Sequence, residues 1–122
     1  MAVNLVGGTT SASAALAFND QTGTTYTFVA ADAENKLVTA SNASAQTYSI
    51  PTDATTNFAV GTQINIIQIG AGQVTIQAAS SGTTTVTSTG ATSAAPKLRA
   101  QWSSATLVKK AANVWYVIGD LA

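Results

Sequence analysis

The sequence predicts an all-β protein: a small antiparallel β-sandwich or barrel of about eight strands with an extended N-terminal arm. Thr makes up about a sixth of the chain and, with Val and Ile, supplies many of the β-branched side chains that favour strands. Short segments of alternating polar and apolar residues follow one another, separated by Gly, Pro and Asn. A length of 122 residues matches a single domain.

The first 24 residues differ from the rest of the chain. They are rich in small residues, contain Gly7 and Gly8, and show no strong hydrophobic period. We therefore place an extended arm at residues 1–24 and the β domain at residues 25–122. The apolar side chains of the arm are its predicted contact residues for another protein, namely Val3, Leu5, Val6, Leu16 and Phe18.

Eight strands are predicted after the arm. The first, residues 25–30, alternates Tyr26 and Phe28 with Thr, and Pro51 ends the third. The segments on either side of Gly70 and Gly72 are predicted to form a hairpin with a Gly-containing loop. In order, the predicted strands are residues 25–30, 36–41, 46–50, 62–69, 73–78, 83–88, 103–110 and 114–118.

Two of these strands have two apolar faces. Ile64 and Ile66 lie opposite Ile67 and Ile69, and residues 114–118 are apolar on both sides. We expect Val114, Tyr116 and Ile118 to fill the core. A two-layer sandwich buries one face of each sheet, so either the arm or a second subunit must cover the other face. We favour a subunit, with an interface formed by Ile67, Ile69, Trp102, Trp115 and Val117.

The charge content is low and balanced. Charged residues make up 8% of the chain, against about 25% in typical domains, with five cations and five anions. Such a chain attracts neither nucleic acid nor an anionic membrane, and no apolar run is long enough for a membrane-spanning helix. This composition favours a surface that contacts other subunits; the alternative is a secreted monomer solubilised by uncharged polar side chains.

The residue types that most enzymes use are scarce. The chain contains no His and no Cys, and its five carboxylates show no catalytic spacing. Asp32 and Glu34 lack the ligand pattern of a calcium loop and are expected in a solvated turn. The segment at Gly70 precedes a strand rather than a helix, so it does not form a phosphate-binding loop. We expect no enzymatic activity, no cofactor and no metal.

Trp102 and Trp115 are the aromatic residues with the most alternatives. Trp102 lies near Lys97, Arg99, Lys109 and Lys110, as in basic aromatic patches that bind single-stranded nucleic acid. Four cations without net positive charge favour edge-strand protection or pairing with carboxylates of a neighbour instead. Both tryptophans also suit stacking on sugars, but their apolar flanks favour a core or interface position.

From residue 25 onward the chain resembles a short β domain of virion structural proteins of tailed bacteriophages. The similarity is carried mainly by residues 68–76 (QIGAGQVTI), 97–103 (KLRAQWS) and 115–121 (WYVIGDL). It implies a non-catalytic, trimeric module on the surface of the virion. Similar domains stand alone or end long tail proteins, so the resemblance leaves head and tail open.

We therefore predict a capsid decoration protein, also called a cement protein, located on the virion. Its predicted partners are two sister subunits of a homotrimer and other virion proteins such as the major capsid protein, which the apolar residues of the arm are expected to bind. The first alternative is a small tail or fibre component that binds a host-surface glycan. The second is a carbohydrate-binding module without a phage context.

Overall fold

The computed structural model describes residues 15–122, which form nine strands and one short 3-10 helix. The all-β prediction is confirmed, and every predicted strand overlaps an observed one. The strands are β1 (Ala17–Gln21), β2 (Thr25–Thr27), β3 (Lys36–Ala40), β4 (Gln46–Ile50), β5 (Gln63–Gln68), β6 (Val74–Ala78), β7 (Thr85–Thr87), β8 (Ser104–Ala111) and β9 (Val114–Gly119); the 3-10 helix spans Ala30–Ala33.

The strands form two sheets, and both contain parallel pairs. The larger sheet has the order β1-β3-β5-β8-β9-β7, and the smaller one has the order β2-β4-β6. β1, β3 and β5 run parallel to one another, as do β2, β4 and β6, whereas β8 is antiparallel to both of its neighbours. The predicted antiparallel arrangement is therefore wrong. Up to β6 the chain alternates between the sheets, so that each coil stacks on the preceding one.

Residues 70–72 form a corner of this stack and not the turn of a hairpin. β5 belongs to the larger sheet and β6 to the smaller, so the predicted hairpin between them is wrong. The Gly72 amide donates to the Asn42 carbonyl at 2.8 Å, and a Cβ added to Gly72 would lie 1.8 Å from the Ser44 carbonyl oxygen. Glycine is needed here because one corner lies directly on the preceding one.

The hairpin of the described chain joins β8 and β9. They pair antiparallel, and Asn113 in the connecting turn has a φ of 53°. Asn is one of the residue types that adopt this left-handed conformation most readily. Between Lys109 and Ala111 the register shifts by a β-bulge. The alternation of polar and apolar residues predicted where the two strands lie in the sequence, but it did not predict that they pair with each other.

Side chains from both sheets form one hydrophobic core. The smaller sheet contributes alternate residues of β4 and β6, and the larger sheet contributes alternate residues of β3, β5, β8 and β9. The Phe58 ring, from the loop between β4 and β5, packs edge-on against Trp115 with the ring centroids 5.5 Å apart. The largest buried side chains are Trp115, Tyr48, Phe28, Ile50, Ile64, Ile66, Ile76, Leu98 and Leu107.

β1 shows that the predicted arm is partly wrong. Residues 17–21 are not a separate arm but the edge strand of the larger sheet, paired in parallel with β3. The predicted boundary at residues 24 and 25 therefore falls immediately before β2. Val3, Leu5 and Val6 lie outside the described residues.

A buried carboxylate connects β1 to the rest of the fold. Asp32 is buried and accepts hydrogen bonds from the Asn19 amide (2.7 Å), the Tyr26 hydroxyl (2.7 Å) and the Val29 backbone amide (2.9 Å). The expectation of a solvated turn is therefore wrong for Asp32, although Glu34 is exposed. Burial, together with the hydrogen bond to Asp32, raises the pKa of Tyr26 to about 12.

Candidate assembly surface

The side of the larger sheet that faces away from the core is here called the outer face. Cross-strand pairing places one row of residues on it from β1 to β9: Phe18 opposite Leu37, Leu37 opposite Asn65, Asn65 opposite Thr106 and Thr106 opposite Ile118. Paired residues share a face of a sheet. With strands spaced at about 4.8 Å, this row is about 19 Å long. Ile67, Val108 and Tyr116 lie on the same face in the neighbouring rows.

The outer face presents several apolar side chains to solvent, on either side of a polar pair formed by Asn65 and Thr106. Phe18 is 62% exposed and Ile118 is 61% exposed, at opposite ends of the row, and Tyr116 is exposed as well. Leu37, Ile67 and Val108 between them are partly buried. Exposed apolar side chains that are grouped on one surface mark candidate interaction sites in soluble proteins.

A groove runs along the middle of the outer face. Its volume is about 300 Å³, and its apolar lining includes Leu16, Leu37 and Ile67. Polar groups at the groove already bond within the sheet, since the Thr106 hydroxyl donates to Asn65 Oδ1 at 2.7 Å. The groove therefore offers mainly apolar contact to whatever binds it.

Charge is confined to the margins of the outer face. Among the strand residues placed there by register and alternation, Asp20 lies at one corner, near the end of the β1 edge strand, and Lys110 lies at the bulge of β8. The Asp20 carboxylate accepts a hydrogen bond from the Thr39 hydroxyl at 2.6 Å. Burying the centre of this face would consequently remove no charge from water.

Within residues 15–122, the first coil has one strand edge without a partner strand in each sheet. β1 is an edge of the larger sheet, and β2 is an edge of the smaller one. Since β1 and β2 belong to the same coil, the two edges lie at the same end of the stack. Exposed edges readily pair with other chains, and stacked coils need a cap at each end. This end of the stack is a second candidate contact region, continuous with the outer face at Phe18.

The predicted interface residues fall into two groups. Ile67 lies on the outer face, while Ile69 and Trp102 lie at the adjacent corner, where Gln101 Nε2 donates to the Ile69 carbonyl. Trp115 and Val117 are instead buried in the core, so their assignment to a subunit interface is wrong. Val114, Tyr116 and Ile118 were expected in the core, but they lie on the side of β9 opposite Trp115 and Val117; Val114 is partly buried and the other two are exposed. Of the arm residues, Leu16 and Phe18 are exposed.

Alternation alone does not distinguish the two apolar faces of β9. The decisive partner is distant in sequence: Trp115 packs against Phe58, which lies more than 50 residues earlier in the chain. Burying Trp115 removes more apolar surface from water than burying Tyr116 with its hydroxyl. The size of the indole, compared with its neighbours, was the available signal.

Trp102 is held in a strained backbone conformation. It is 66% exposed, and its φ of 74° is rare for a bulky residue. Its amide donates to the Gln68 carbonyl at 2.6 Å, and the next amide, of Ser103, donates to the Ala100 carbonyl at 3.0 Å. Strain of this kind persists only where the surroundings fix it, and it is concentrated at binding sites. The turn therefore presents an indole ring to solvent on a rigid support.

The cations near Trp102 do not form a basic patch. Arg99 makes a bidentate ion pair with Asp120. The Asp120 carboxylate also accepts a hydrogen bond from the Ser103 hydroxyl at 2.7 Å. Hydrogen bonds from Arg99 and Ser103 lower the pKa of Asp120. Lys109 is buried beside Asp53. These pairs lie within one chain, so the predicted pairing with carboxylates of a neighbour is wrong for Arg99 and Lys109.

Neither a metal centre nor a membrane helix is found in the part of the chain that the structure describes. Residues 15–122 contain no group of three or more His, Cys, Asp or Glu placed to hold a metal ion. None of their helices is long and apolar enough to cross a membrane. A scan against models of known protein families and a search of curated proteins both found no match.

Proposed function

We propose that this protein is a non-enzymatic structural subunit of a bacteriophage particle, a capsid decoration protein that assembles through the outer face. The observation that carries the proposal is the set of exposed apolar side chains on the outer face, namely Phe18, Tyr116 and Ile118. Only 8% of the residues are charged, so the chain has little surface charge to keep its copies apart. The phage context rests on the sequence resemblance over residues 25–122.

The partner on the outer face is proposed to be a sister subunit. A symmetric oligomer gives every copy the same complementary apolar surface, which suits a face whose centre carries no charge. The trimeric stoichiometry comes from the resemblance. In such a trimer a neighbouring subunit would cover the outer face of the larger sheet. The groove beside Leu37 would receive an apolar side chain of that subunit.

The capsid contact is proposed at the end of the stack formed by β1 and β2. Among residues 15–122, this end combines strand edges that have no partner strand with the exposed Leu16 and Phe18. Both features suit attachment to another virion protein such as the major capsid protein, because an edge strand offers backbone hydrogen bonds and the two side chains offer apolar anchors.

A second candidate is a small tail or fibre component that binds a host-surface glycan. The specific observation in its favour is Trp102, whose exposed ring on a rigid turn suits stacking on the apolar face of a sugar. The two candidates differ in where the protein lies on the particle.

Labelled antibody on intact phage particles tests the proposal. We expect regularly spaced label over the capsid. We also expect capsids to bind less of the Ile118→Asp variant than of the wild-type protein, because burying a carboxylate at the outer face opposes association of the subunits. The control is Ala91→Asp, which adds the same charge in an exposed loop away from that face. Label confined to the tail would favour the glycan-binding alternative, and particles without label would contradict both.

A further inference from the structure

Lys109 is a buried amine surrounded by the groups that amide-bond formation requires. Its side chain is 2% exposed and lies on the core side of β8. Its Nζ contacts Asp53 Oδ1 at 2.8 Å, the Phe58 carbonyl at 2.6 Å and Asn57 Oδ1 at 3.2 Å. The nucleophilic amine of Lys109 thus contacts both a carboxylate and a carboxamide. Because an amide C=O bond is about 1.2 Å long, Asn57 Cγ lies within about 4.4 Å of Nζ.

We propose that Lys109 and Asn57 form an intramolecular isopeptide bond, with Asp53 as the acid and base of the reaction. The inference rests on this geometry alone and is independent of the proposed function. The product would link β8 covalently to the loop between β4 and β5, in a chain that contains no Cys and hence no disulfide.

The step balances without an oxidant or a co-reactant. Asp53 accepts one proton from the Lys109 ammonium, and the neutral amine attacks Asn57 Cγ to form the new C–N bond. A second Nζ proton passes to Asn57 Nδ2, the Cγ–Nδ2 bond breaks, and ammonia leaves. The amide retains one hydrogen on Nζ, and Asp53 ends protonated. Asn57 is exposed, which gives ammonia a route to solvent.

The surroundings hold the three groups in place. The Asp53 backbone amide donates to Asn113 Oδ1 at 2.9 Å, and the Asn113 amide donates to Asp53 Oδ2 at 3.1 Å, so the carboxylate is fixed against the β8–β9 turn. Phe58 packs against Trp115 on the inner side of the cluster. Fixing reacting groups in this way gives the high effective concentrations of intramolecular reactions.

Intact mass spectrometry of the denatured full-length protein tests the proposal. We expect the wild type to be about 17 Da lighter than its sequence, the mass of one ammonia, because the amine displaces it. Protease digestion should yield one branched peptide that contains both Lys109 and Asn57. Asn57→Ala, which alters an exposed loop residue, and Asp53→Asn should each have their full sequence mass, whereas Lys110→Ala should retain the loss.

Succinimide formation at an Asn also releases ammonia, and Lys109→Met separates the two reactions. The loss should disappear in this variant, and mass measurement does not require that it fold. A wild type of full sequence mass would overturn the proposal. So would a mass loss that persists in Lys109→Met, or a digest without the branched peptide.

Discussion

Replacing Trp115 with Ala is expected to destabilise the fold by about 3–5 kcal/mol, the usual cost of truncating a large buried aromatic side chain. Trp115 is fully buried, packs against Phe58, and lies opposite Val86 and Lys109 in the larger sheet. Small domains are stable by only about 5–15 kcal/mol, so this loss is a large part of the total. Urea unfolding followed by circular dichroism at fixed protein concentration measures it.

The matched control for Trp115→Ala is the adjacent residue. Tyr116 points to the outer face and is exposed, so Tyr116→Ala should change the free energy of unfolding by less than about 1 kcal/mol. If Trp115→Ala unfolded at the wild-type urea concentration but no longer assembled, the indole would belong to an interface and the placement of the core would be wrong.

Gly72→Ala is expected to destabilise the fold by about 3 kcal/mol or more, at the upper end of overpacking costs. The new Cβ would lie 1.8 Å from the Ser44 carbonyl oxygen and 2.7 Å from that of Asn42. These are backbone atoms of the preceding corner, so relief requires the two coils to separate. Thermal unfolding of the variant should occur at a clearly lower temperature than that of the wild type.

Gly82→Ala provides the comparison for Gly72→Ala. A Cβ at Gly82 meets no atom within 4 Å, and its φ lies outside the left-handed region. The same substitution should therefore be neutral or slightly stabilising there, because it reduces the freedom of the unfolded chain. Equal unfolding temperatures for the two variants would contradict the stacked corners.

The sequence located the strands but not their partners. Alternation is a local signal, and the strand positions from Thr25 to Gly119 follow from it. Pairing is not local: β5 is followed closely by β6, yet it pairs with β3 and β8, while β6 pairs with β4. A Gly-containing segment between two strands suits a hairpin or a corner equally well. The stacking of Gly72 on Ser44 identifies it as a corner, and this contact between distant residues is visible only in the folded structure.

The sequence predicted that β9 is apolar on both faces, but it assigned the wrong face of that strand to the core. The sequence of residues 114–118 predicts a strand that is apolar on both faces, and among the described residues the face with Tyr116 and Ile118 is exposed. Which side of β9 enters the core depends on Phe58, more than 50 residues earlier in the chain, so Trp115 and Ile118 were assigned to each other's environments. Asp32 was misplaced similarly, because its partners Asn19 and Tyr26 lie on other elements.

Light scattering of the wild type and of a variant carrying Phe18→Asp and Ile118→Asp tests the central claim most directly. The two exposed apolar side chains lie at the ends of the cross-strand row on the outer face, so their replacement should leave the fold intact while placing two carboxylates in the interface. Ala91→Asp with Ala94→Asp adds the same charge in an exposed loop as a control. We predict a trimer for the wild type and the control at micromolar concentration, and a single folded chain for the outer-face variant. A monomeric wild type, or an outer-face variant that remains trimeric, would contradict assembly through this face.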